Sequence, residues 1–164
     1  MALKKGKKKE ILSELHDLIK GSQSMVFVGF DKLSVAQDTI LRRNLRKEGV
    51  GYKVAKKTLL KKSLNEGGFT GELPEMGGEV ALAFGKDLLA PAREVYNFQK
   101  TNKENIKILG GVFEGEFVDA TKMMEIASIP GMQVLYGQFV NLINSPIQRF
   151  AVVLDQIAQT KTNA

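Results

Sequence analysis

The 164-residue sequence contains no cysteine and a single histidine, His16. The first absence excludes disulfides and thiolate chemistry and fits a reducing compartment, the cytoplasm. With one histidine besides, a zinc site is not expected, and no metal ligands are assigned. Long apolar runs are also missing. No stretch of about 18 apolar residues could span a bilayer. The basic opening, Met1 to Glu10, leads into apolar positions interrupted by Glu14, His16, Asp17 and Lys20, so no signal-peptide core follows it. No membrane partner is expected. There is no proline-rich or serine-rich tract, and 43% of residues are hydrophobic, so most of the chain should fold.

Enzyme signatures fail on inspection. Gly78 to Lys86 has six residues between Gly78 and Gly85 where a phosphate loop has four, and Asp87 follows where Ser or Thr is needed. Gly49 and Gly51 begin a dinucleotide fingerprint, but Val54 stands at its third glycine. His16 lies among Leu15, Asp17 and Leu18 on an amphipathic stretch, the setting of a partly exposed surface residue and not of a general base. The acids are scattered at caps and turns. Neither catalysis nor a cofactor is expected.

What the sequence has is charge, unevenly placed. Residues 1–62 carry 16 Lys and Arg against 6 Asp and Glu, whereas residues 63–164 carry 8 against 12. A cationic half is the footprint of a polyanion binder, because each neutralised phosphate releases condensed counterions.

Apolar spacing divides the chain into elements. Ile11, Leu12, Leu15, Leu18 and Ile19 predict a helix ending at Gly21, preceded by a mobile arm bearing Lys4, Lys5, Lys7, Lys8 and Lys9. Met25–Phe30 reads as a buried strand. Ser34 and Gln37 form a capping box for a helix that buries Ile40, Leu41 and Leu45 and exposes Arg42, Arg43, Arg46 and Lys47 before Gly49. A strand over 50–54 and a basic helix over 56–64 follow. After an irregular stretch come a strand over 79–84, a helix capped by Asp87 that includes Leu88 and Pro91, strands on either side of the turn Glu114-Gly115-Glu116, and a helix over about 119–128. The fold class is therefore α/β, a mixed sheet flanked by helices as an α/β sandwich, followed by a C-terminal helical extension. Pro130-Gly131 marks the boundary between a domain of residues 1–130 and an extension of residues 131–164.

Two stretches carry the candidate chemistry. In Tyr52-Lys53-Val54-Ala55-Lys56-Lys57-Thr58-Leu59-Leu60-Lys61 a strand runs into a helix, placing Lys56 and Lys57 in the helix's first turn. Cations there oppose the positive end of the helix dipole by about 0.3–1 kcal/mol each. A nearby phosphate reverses that sign, and free backbone amides with the Thr58 hydroxyl could cradle it. Phe27, Phe30, Tyr52 and Phe69 lack the spacing of a base-stacking platform, so recognition of RNA shape and phosphates is expected. The second stretch begins at Ser145-Pro146, read as the start of a separate last helix, with serine as cap and proline as first helical residue. Ile147, Phe150, Ala151, Leu154, Ile157 and Ala158 form an apolar stripe, Val153 widens it, and the preceding helix from Met132 to Ile143 offers a similar face. The pair looks like a ladder for partner helices.

Met1-Ala-Leu-Lys4, Leu41-Arg42-Arg43 leading to Gly49, Lys53-Val54-Ala55-Lys56-Lys57-Thr58-Leu59-Leu60 and Phe113-Glu114-Gly115-Glu116, in this order, give the chain a further identity. Along essentially its whole length it resembles the bacterial ribosomal stalk-base family, the tenth protein of the large subunit. It departs at Lys57, where that family commonly has asparagine, and at Lys32-Leu33, where an Arg-Gly pair is frequent. The resemblance implies a structural constituent of the large ribosomal subunit in the cytoplasm. Its expected partners are large-subunit ribosomal RNA at the base of the lateral stalk, a neighbouring ribosomal protein, and dimers of the acidic stalk protein that recruit translational GTPases. About ten helical residues serve each dimer in the family, which favours two dimers over three. The expected RNA contacts are Lys4, Lys5, Lys7, Lys8, Lys32, Arg42, Arg43, Lys53, Lys56, Lys57, Thr58 and Lys61. The main rival is an RNA-binding assembly factor of the same fold, which would lack the apolar tail; a nucleotide-dependent enzyme and a DNA binder are more distant.

Overall fold

A computed structural model describes residues 5–102 and 105–162. The chain divides into two compact units, Met1–Ile129 and Pro130–Ala164.

In the first unit the apolar segments 24–30, 79–85 and 106–113 are long enough to be covered on both faces, and they form the middle of a five-stranded sheet. In chain order the elements are α1 (Lys5–Gly21), β1 (Ser24–Phe30), α2 (Val35–Lys47), β2 (Gly51–Val54), α3 (Lys57–Glu66), β3 (Glu79–Gly85), α4 (Ala90–Thr101), β4 (Ile106–Phe113), β5 (Glu116–Asp119) and α5 (Ala120–Ala127). The strand order is β2-β3-β1-β4-β5. Every strand pairing is antiparallel. The mixed character expected of the sheet is confined, among the described residues, to one parallel bridge between Thr70 and Glu116.

Side chains alternate across a strand, so each face of β1 feeds a different core. Val26 and Val28 pack with Ala81, Ala83, Ile106 and Ile108 beneath Leu41 and Leu45 of α2, Val95 of α4 and Met123 of α5. Met25 and Phe27 pack with Leu82 and Val112 beneath Ile19 of α1 and Leu60 and Leu64 of α3. The result is the expected sandwich: α1 and α3 on one face, α2, α4 and α5 on the other.

The local signals act as anticipated at several ends. The Ser34 hydroxyl accepts from the Gln37 amide while the Gln37 side chain accepts from the Ser34 amide. Gly49 then takes a φ of 69°, the left-handed turn that glycine reaches without Cβ strain. Glu114 and Gly115, with φ of 52° and 86°, make a two-residue turn whose twist matches its strands, and Glu116 already begins β5.

Four expectations are corrected. The lysine segment is not a free arm from Lys5 onward, because α1 begins there; lysine is a good helix former, and the buried side chains of Leu15 and Ile19 anchor a helix that propagates backward through it. Ile40 is 50% exposed, because two positions, Leu41 and Leu45, already face the sheet. Asp87 does not cap α4: the helix starts at Ala90 behind Leu89, leaving Leu88 outside it, and Asp87 instead accepts the Leu89 amide in a turn. Pro91 does sit in the first turn.

The second unit holds the fourth correction. Ser145-Pro146 starts no helix; a single helix, α6 (Met132–Thr162), runs through it. Pro146 has no amide hydrogen, so the Leu142 carbonyl loses its partner one turn on. The apolar pattern explains why the helix continues. Met132, Tyr136, Phe139, Ile143, Ile147, Phe150, Leu154 and Ile157 follow one another at spacings of three and four, and at about 100° per residue they stay within about 80° of arc. The stripe passes the proline in phase. Among the described residues no helix is long and apolar enough to cross a membrane.

Candidate functional site

Chain direction decides which cations meet. β1 and β2 both run antiparallel to β3, so their C-terminal ends lie at the same end of the sheet as the start of β3 and of β4. That end carries the β1–α2 turn with Lys32, the start of α3 with Lys56, Lys57 and Thr58, and Lys107 on β4. All five side chains are exposed. Lys61, one turn along α3 on the same face as Lys57, is exposed as well.

α1 brings its lysines toward the same end. Near its C-terminus Asp17, Leu18 and Gly21 line a cleft with Gly51 and Phe84–Asp87, at the opposite end of the sheet. A turn earlier, the Glu14 carboxylate accepts from Lys53 Nζ near the C-terminal end of β2. Following α1 further back, at about 1.5 Å per residue, leads to the exposed Lys7, Lys8 and Lys9. Only the backbone of Lys5 is described, and Lys4 lies outside the described residues.

Two of the other expected contacts, Arg42 and Lys53, are engaged within the fold. Arg42 Nε donates to Asp38 at 2.7 Å, and its guanidinium lies 4.8 Å from the centre of the Tyr52 ring. Burial, and then the Asp38 carboxylate, push the Tyr52 hydroxyl up to about 12, with Arg42 pulling the other way. Lys53 has its charge matched by Glu14. Arg43 is exposed but sits more than two turns along α2, away from the cluster. Thus Lys32, Lys56, Lys57, Thr58, Lys61 and Lys107 are brought together, with Lys7 and Lys8 extending toward them, while Arg42 and Lys53 are paired elsewhere and Arg43 stands apart.

Lys107 is the member that sequence reasoning missed. The alternation Ile106-Lys107-Ile108 says that it faces away from those isoleucines, but only the antiparallel pairing of β4 with β1 sets it opposite Gly29, where it lines a cleft with Asp31.

At the start of α3 the backbone itself offers donors. Lys56 is the N-cap residue, extended with φ −65° and ψ 133°, and no side chain caps the helix. Its first turn holds no acid. Lys57 and Thr58 therefore stand at a positive helix end with unpaired amides, an arrangement that favours an anion. Beside it lies a cleft of about 530 Å³ lined by Val54, Ala55, Lys56, Lys57, Thr58, Gly78, Glu79 and Val80. Among the described residues no group of three or more His, Cys, Asp or Glu is placed to hold a metal ion.

The second unit offers a different chemistry. Ile147, Phe150, Val153, Leu154 and Ile157 of α6 are exposed, Phe150 by 67%, and Ala151 and Ala158 flank them in exposed positions. Met132, Tyr136, Phe139 and Ile143 extend the exposed stripe toward the start of the helix. Within this unit a single helix has no second surface against which to bury such a stripe.

Residues 3–100 match the family model described as Ribosomal protein L10. The chain is 36% identical over 155 residues to the large ribosomal subunit protein uL10 of Shouchella clausii, covering 94% of this chain and 93% of that protein. It is 36% identical over 156 residues to the protein of the same name from Clostridioides difficile, covering 93% and 91%. To that of Delftia acidovorans it is 33% identical over 162 residues, covering 99% and 92%.

Proposed function

The chain belongs to the ribosomal protein L10 family, and from that premise we propose that it binds large-subunit ribosomal RNA at the base of the lateral stalk and anchors dimers of the acidic stalk protein. Membership makes it a structural, non-enzymatic constituent of the large ribosomal subunit, in the cytoplasmic ribosome. The finer assignment divides the chain at residue 130. Residues 1–130 bind RNA beside a neighbouring ribosomal protein, and residues 131–164 hold the stalk dimers that recruit translational GTPases.

The observation that carries this reading is the segregation of two unlike surfaces onto two units: exposed lysines around an uncapped helix start on one, an exposed apolar stripe on the other. Phosphates suit the first, because their contacts rest on Lys and Arg side chains and backbone amides. Amphipathic helices suit the second.

On the RNA side the contacts are Lys4, Lys5, Lys7, Lys8, Lys32, Lys56, Lys57, Thr58 and Lys61, with Arg42, Arg43 and Lys53 as peripheral members. On the partner side they are Ile147, Phe150, Ala151, Val153, Leu154, Ile157 and Ala158, with Met132, Tyr136, Phe139 and Ile143 of the first half of the stripe holding a further dimer. Two dimers fit the helix better than three. The continuous stripe from Met132 to Ile157 has room for two sites of about ten residues each and not for a full third.

Truncation combined with native mass spectrometry tests the assignment. Removal of residues 130–164 abolishes association with the acidic stalk protein and leaves RNA affinity within about twofold. Removal of residues 146–164 lowers the count from two dimers to one. Stalk-protein binding by the 1–129 fragment would refute the assignment.

A further inference from the structure

Outside α6, the described residues expose few large aliphatic side chains: Val35, Ile40, Val54 and Ile129. Two of these, Val35 at 84% and Val54 at 47%, lie at the lysine-bearing end of the sheet. A surface that only counted phosphates would have no use for them. Val54 is moreover part of a concave wall: with Ala55 and Val80 it lines the apolar cleft that opens beside Lys56 and Lys57. At about 530 Å³ the cleft lies inside the range of about 300–1,000 Å³ typical of small-molecule sites. Apolar walls beneath a cationic rim match one class of occupant on an RNA-binding surface, a nucleotide, which is flat and apolar in its base and anionic in its phosphate.

We propose that this cleft receives the base of one unpaired nucleotide of the RNA, with Val54, Ala55 and Val80 against the base and Lys56 and Lys57 on the flanking phosphates. This rests on the RNA-binding reading and sharpens it from recognition of shape alone to capture of an extruded base. Glu79, which also lines the cleft, would repel phosphates and offer an acceptor to a base amino group, and Thr58 would add a hydroxyl. No aromatic side chain lines the cleft, so the base is held by enclosure between aliphatic walls and not by stacking on a ring.

The test uses the full chain and three RNA hairpins of equal length: fully paired, with one bulged cytidine, and with an abasic residue at the bulge. Dissociation constants are measured across a salt series. The bulged cytidine hairpin should bind at least tenfold more tightly than the other two. Ala55→Leu, which fills the cleft, and Val54→Asn, which removes part of its apolar wall without adding charge, should each erase that preference while leaving the slope of log Kd against log salt unchanged. Thermal melts of both variants establish that they are folded. Equal binding of the three hairpins overturns the proposal, as does a preference that survives both substitutions. Failure to bind any hairpin at low salt overturns the RNA-binding reading as well.

Discussion

Tyr52 is the residue whose surroundings most alter its chemistry. Its ring is partly buried on β2, under the Arg42 guanidinium and near the Asp38 carboxylate, and its hydroxyl is pushed from the ordinary 10.0 up to about 12. A folded value above the unfolded one means that the folded state holds its proton more tightly. The corresponding stability is fully present below pH 10 and is lost as pH rises from 10 through 12. The loss should be smaller than the full shift implies, because solvent screens the partly exposed ring. Urea unfolding midpoints measured from pH 9 to 12 should fall steeply in the native protein and more gently in Tyr52→Phe; parallel curves would refute the assignment. The same cluster shows what the sequence leaves open about Arg42. An arginine on a helix's polar face reads as free, and the Asp38 partner one turn away was legible, but the Tyr52 ring beneath it arrives through the packing of α2 on the sheet's edge.

At the scale of elements, the sequence marked most helices and strands, because their ends carry short-range chemistry. The Ser34–Gln37 capping box, Gly49 and the Glu114-Gly115 turn act through neighbours a few residues away, so no tertiary knowledge is needed to read them. Ser145-Pro146 shows the limit of such reading. The pair has the form of a helix start, yet the apolar stripe keeps its phase across it and α6 is continuous. The proline still costs the helix the bond between residue 146 and the Leu142 carbonyl, and interior proline is worth about 3 kcal/mol against helix formation. Pro146→Ala should therefore slow amide exchange over residues 147–150, as measured by NMR on the full chain. Unchanged exchange there would contradict a helix running through this position.

On the scale of the whole molecule, exposed cations such as Lys20, Arg46, Lys47 and Lys86 lie at the other end of the sheet, but topology also gathers Lys32, Lys56, Lys57 and Lys107 at one end. If Lys56 and Lys57 each neutralise one phosphate, replacing both with glutamine should reduce the magnitude of the slope of log K against log salt by about 2. Arg42→Gln should leave that slope nearly unchanged, since its charge is already engaged by Asp38. Equal effects from both variants would remove the distinction between the clustered and the engaged cations. The sequence by itself determined the cationic half, the amphipathic faces, the family and the stripe of α6, because composition and periodicity are local properties that survive without coordinates. Only the tertiary structure decided which lysines share an end, since that depends on the antiparallel direction of β1, β2, β3 and β4. Lys107 joins residues more than 40 positions away through strand pairing, Lys53 is paired by Glu14 of α1, and Arg42, already paired by Asp38 of its own helix, lies over the Tyr52 ring of β2.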